Sequence, residues 1–153
     1  MNEEFAEAVK DVENKCSILL SSPTYSMAAL PAQMPMAGIY LFSEEGEALY
    51  VGRTNSLRKR LQYHMKNSHN QATFAFLLAR EETGNIKASY QPNGSREDLL
   101  KQPLFRKAFD MARERIRSMD VQFVEEPNPI RQALLEICVA LRAKARYNDF
   151  DNH

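Results

Sequence analysis

Apolar residues in the first stretch of the chain recur at helical intervals. Phe5, Val9, Val12, Cys16 and Leu19 share one face, which predicts an amphipathic helix over 2–20. The segment SSPTYSMAALPAQMPMA breaks that rhythm with three prolines and reads as an irregular connection ending at Ala37. GIYLFSE and EALYVGRT are short runs rich in β-branched and aromatic residues, with Gly46 between them. They predict an antiparallel hairpin. Leu57 and Leu61, with His64 or Met65, fall on one face of a short helix that Asn55 or Ser56 is suited to cap. NQATFAFLLAREETG predicts a further helix ending at Gly84, and NIKASYQPNG a loop. Residues 96–118 predict a charged helical stretch with a break at Pro103. DVQFVEE alternates as a strand does. In IRQALLEICVALRAKARYN, Ile130, Leu134, Cys138 and Leu141 form a stripe expected to face the core.

The expected fold class is therefore α/β in layered α+β form: a small three-stranded antiparallel sheet flanked by helices, with an N-terminal helix and a helical insert. Residues 1–37 read as helix and linker. Residues 38–153 read as one domain, with the insert at about 69–118.

Composition changes this picture little. The chain has 153 residues, 44% hydrophobic and 26% charged, as an ordinary globular protein does. No apolar run is long enough to span a membrane, and the acidic start lacks the pattern of a secretory leader. Cys16 and Cys138 are too few for a disulfide framework and have no ligand-spaced neighbours. Both read as reduced thiols of an intracellular protein, with a cytoplasmic location, nucleoid-associated in a bacterium. Charge changes it more. The formal net charge is zero, yet residues 1–50 carry eight acids against two bases, and residues 51–153 carry eighteen bases against twelve acids. From Arg53 to Lys66 there are five cations (Arg53, Arg58, Lys59, Arg60, Lys66) and no acid. Such a patch is either a solvated helix face or an attractor for a polyanion.

Gly38-Ile39-Tyr40 followed by Tyr50-Val51-Gly52 resembles the signature of the GIY-YIG nuclease family, with valine for the second isoleucine. NSLRKRL and the later ALLEICVALRAKARYN are similar to that family's first and closing helices. The resemblance covers 38–66 and about 119–148. It implies a catalytic set of Tyr40, Tyr50, Arg60, His64 and Glu136, with Glu136 holding Mg²⁺ or Mn²⁺. It implies phosphate contacts from Arg53, Arg58, Lys59 and Asn148, and structural roles for Gly38 and Gly52. The implied partner is DNA, and the implied reaction is metal-assisted phosphodiester hydrolysis.

The residues suit those tasks. Guanidinium forks match phosphate oxygens. One carboxylate is adequate for Mg²⁺, which retains waters and uses substrate phosphate. Taken without the resemblance, Tyr40 and Tyr50 read as strand aromatics, Arg60 as a surface cation and Glu136 as a solvent-facing acid. A phenol of ordinary pKa ~10 is a weak base at neutral pH, and histidine is intrinsically better placed, so the base stays open between Tyr40 and His64. Asn148 also reads as a tie from the end of the last helix to the hairpin. No attached DNA-binding domain is visible, so targeting falls to the insert, the N-terminal helix or a partner protein. The competing readings are a non-catalytic nucleic-acid-binding module on the same scaffold, and an oligomer in which basic helices meet the acidic N-terminal helix of a neighbour.

Overall fold

A computed structural model describes residues 2–67, 72–84, 96–148 and 150. The expected loop over 85–94 lies outside the described residues. The chain divides into two compact units, residues 1–58 with 119–153, and residues 59–118.

In the first unit, α1 (Glu3–Ser21) starts where the Asn2 side chain accepts a hydrogen bond from Phe5 N. The sheet has four antiparallel strands, β1 (Tyr25–Ser26), β2 (Gly38–Glu44), β3 (Glu47–Thr54) and β4 (Asp120–Glu125), in the order β1-β4-β2-β3. This is one strand more than the sequence predicts. The addition is β1, which pairs Tyr25 with Val121 and Ser26 with Asp120. A two-residue strand is too short to show an alternation, so its prolines and small neighbours read as connection. β2 and β3 turn through Glu45 and Gly46, both at positive φ, as a two-residue hairpin requires.

Ile39, Leu41, Val51 and Val124 point to one face of the sheet. There they form a core with Val12, Cys16 and Leu19 of α1 and with Leu135, Val139 and Ala140 of α6 (Pro129–Ala143). Two expected apolar stripes are corrected here. Phe5 is exposed at the solvated start of α1. In α6 the buried positions are Gln132, Leu135, Val139 and Ala140. Ile130 and Leu141 face solvent, and Leu134 and Cys138 lie at the margin of the core. Both faces of α6 carry apolar residues, so periodicity alone selects the wrong one.

The second unit holds the end of α2 (Leu57–Tyr63) with α3 (Thr73–Thr83), α4 (Arg96–Lys101) and α5 (Pro103–Arg117). Gly84 ends α3 in a left-handed cap at φ 81°. Pro103 opens α5, so the break expected there separates two helices. Phe105, Phe109, Ala112 and Ile116 make the buried stripe of α5, and Phe76 of α3 packs on Phe105 and Phe109 at ring separations of 5.1 and 6.2 Å.

Candidate active site

Register fixes which side chains of the hairpin share a face. Tyr40 pairs with Gly52 and Phe42 with Tyr50, so these side chains stand on the face opposite Ile39 and Leu41. The Tyr40 ring lies 5.6 Å from Phe42 and 6.5 Å from Tyr50, centroid to centroid, and Tyr40 is 1% exposed. Its hydroxyl end runs over Gly52. A Cβ at Gly52 would sit 2.1 Å from the Tyr40 oxygen, and one at Gly38 would sit 2.0 Å from the Val124 carbonyl oxygen. Both glycines are thus required by close approach. Gly52 is glycine because Tyr40 occupies the place of its side chain.

Arg53, next along β3, points to the other face. It pairs in register with Ile39, and its Nε stands 3.4 Å from Glu136 Oε2 on α6. Burial raises the Glu136 carboxyl above the usual carboxylate range, and the Arg53 charge partly offsets this. The start of α6 is firmly held. Asn128 accepts from Ile130 N and Arg131 N, each at 3.0 Å. Buried Gln132 donates to Glu126 O at 2.7 Å and to Asn55 Oδ1 at 3.1 Å. These contacts set Glu136 in place, and sequence reading missed them. The only sequence signal is an acid two residues before an Asn suited to cap a helix.

Two expected phosphate-binding residues are engaged elsewhere. Asn148 accepts from Val51 N and donates to Val51 O, both at 2.8 Å, so its amide clasps the outer edge of β3. This matches the tie to the hairpin rather than a contact with substrate. Arg58 donates to the carbonyl oxygens of Pro31 and Ala32 and holds the segment before β2.

The donor set around Glu136 limits what ion it suits. Among the described residues no three His, Cys, Asp or Glu side chains gather as a metal set. Mg²⁺ or Mn²⁺ fits, since such hard ions accept waters and phosphate oxygens beside one carboxylate.

In the second unit, Arg60 is half-buried and its Nη2 stands 3.4 Å from Thr73 Oγ1. His64 follows the last residue of α2 and is fully buried, its ring 6.5 Å from Phe74. Burial, with the nearby Arg60 charge, lowers the His64 pKa from 6.5 to about 3. The imidazole is therefore neutral at physiological pH and accepts a proton poorly, which removes the advantage that histidine has as a base. Lys59 is exposed, its ammonium 5.6 Å from the centre of the Tyr63 ring.

Residues 36–99 match the family model described as the GIY-YIG catalytic domain. The match spans less than half of the chain and shows a likeness to that domain. The GIY-YIG match takes in Tyr40, Tyr50, Arg53, Arg60 and His64 and stops short of Glu136 and Asn148. It also runs through α3 into α4, within the stretch read from sequence as an insert. Among curated proteins and among solved structures, none matches the chain significantly. Among the described residues, no helix is long and apolar enough to cross a membrane.

Proposed function

We propose that the protein is a metal-dependent DNA endonuclease that hydrolyses phosphodiester bonds. The observation that carries this reading is the seating of Tyr40 over Gly52. It joins the two halves of the GIY-YIG signature into one packed unit, within a segment that matches the catalytic domain of a nuclease family.

Hydrolysis needs an activated water, stabilisation of charge on the phosphate, and help for the leaving oxygen. Tyr40 is the proposed proton acceptor, with Tyr50 hydrogen-bonding beside it. The low pKa of His64 disfavours it as the base and leaves it the part of a neutral hydrogen-bonding partner. Arg60 is assigned to the phosphate charge, for which its fork of donors is suited. Exposed Lys59 and Arg53 supply further phosphate contacts, Arg53 by leaving Glu136 for the substrate. Glu136 would hold Mg²⁺ or Mn²⁺, whose charge favours both the attacking and the leaving oxygen. Targeting is assigned to the N-terminal helix, to the helices of 69–118 or to a partner protein, and the cytoplasm is the proposed compartment.

A non-catalytic nucleic-acid-binding module is the second reading. The pairing of Glu136 with Arg53 and the burial of Tyr40 favour it. Incubating the pure protein with linear and branched DNA, with and without Mg²⁺, separates the two. Cleavage by wild type that Glu136→Ala abolishes supports the nuclease. Binding without cleavage on every substrate establishes the module instead.

A further inference from the structure

We propose that the outer face of α6 is a self-association surface, on which two copies of this chain pair antiparallel about a two-fold axis. Ile130, Ile137 and Leu141 are 70%, 42% and 71% exposed, and Leu134 is half-buried beside them. At about 100° per residue these four positions fall within about 60° of arc. That arc lies opposite the side that Leu135 and Val139 bury in the core. A helix apolar on two opposed sides is suited to cover on both, and the chain itself covers one.

The stripe points to a second copy as the occupant because it reads the same in both directions. The intervals from Ile130 to Leu134, Ile137 and Leu141 run four, three, four. An antiparallel copy therefore sets Ile130 against Leu141 and Leu134 against Ile137, twice over. This is the self-complementarity that a two-fold interface demands.

Charge supports the same direction. α1 runs beside α6 in the same sense. Arg131 Nη2 meets Asp11 Oδ2 at 3.0 Å, and further along Arg142 Nη1 meets Ser17 Oγ at 3.1 Å. The exposed acids of the first turns of α1, Glu3, Glu4 and Glu7, thus lie toward the N-terminal end of α6. Exposed Arg142, Lys144 and Arg146 lie at its other end. Turning the second copy through a half rotation brings acidic end to basic end on both sides. A parallel pairing would bring like charges together. This surface is independent of the nuclease reading.

Sedimentation velocity over a range of protein concentrations tests the proposal. Wild type is expected to dimerise reversibly. Leu141→Glu and Ile137→Glu, both at exposed positions, should weaken the dimer by about tenfold or more with unchanged circular dichroism. Leu104→Glu, at a still more exposed leucine on α5, should dimerise as wild type does. Lys144→Glu should weaken the dimer, and adding Glu4→Lys in the same chain should restore it. A wild type that stays monomeric overturns the proposal. A dimer indifferent to Leu141→Glu overturns it too, because another surface then holds the copies. Failure of the double charge reversal to restore pairing overturns the antiparallel arrangement.

Discussion

Three residues respond to their surroundings in ways a titration or a melt reads directly. At Gly52, a methyl group collides with the Tyr40 hydroxyl, so Gly52→Ala should lose about 1–3 kcal/mol in urea unfolding. In a Tyr40→Ala background most of that loss should vanish, since the obstacle is gone. Equal losses in both backgrounds would show that the ring and the glycine are uncoupled. His64 has a folded pKa of about 3 against an ordinary 6.5, so the unfolded chain binds the extra proton between these values. Its contribution is fully present above the unfolded pKa and is lost as pH falls toward 3. The loss is on the order of 5 kcal/mol. His64→Phe should flatten that acid limb in a pH series of urea melts. For Glu136 the sign is opposite. Its raised carboxyl favours the folded state below the unfolded pKa, and this is lost as pH rises through the folded one. Glu136→Gln should thus hold or raise stability at neutral pH, as expected of a carboxylate placed for a task other than folding.

At the scale of elements, the hairpin and the helices were legible because each has enough length to show a period. α5 shows why. Its buried positions repeat at helical intervals over 15 residues. β1 has two residues and no period to read. α6 misled for a different reason. Its exposed stripe of Ile130, Ile137 and Leu141 is as apolar as its buried one, and periodicity reports a face without saying which side it packs on. The tyrosines and glycines of the hairpin could be named from sequence, but the reason for Gly52 is a ring on the neighbouring strand. Register makes that plain, and composition cannot. Asn148 was ambiguous as a letter and is specific as a structure. Its two hydrogen bonds to Val51 act as a short added strand at the edge of β3. Asn148→Ala should expose that edge, speed hydrogen exchange at the Val51 amide, and reduce stability by about 1–3 kcal/mol. An unchanged exchange rate would mean that the clasp does not hold in solution.

For the whole molecule, zero net charge conceals an acidic first third and a basic remainder. The cations from Arg53 to Lys66 do not act alike. Arg58 holds backbone carbonyls and Arg53 holds Glu136, while Lys59 lies exposed. DNA affinity should still fall steeply with added salt, and Lys59→Ala should make that dependence shallower by about one counterion. A flat salt response would mean that this patch does not meet the duplex. The central claim is that the protein hydrolyses DNA and that Tyr40 and Glu136, which stand toward opposite faces of the hairpin, are both needed for it. It is tested most directly by single-turnover cleavage of end-labelled DNA, with Mg²⁺ titrated, on wild type, Tyr40→Phe and Glu136→Ala purified in parallel. The account predicts cleavage that requires Mg²⁺, slowed by about 10²-fold or more in each variant with folding intact. Wild-type protein that binds DNA and leaves it uncut at every Mg²⁺ concentration, or variants that cut as fast as wild type, would contradict it.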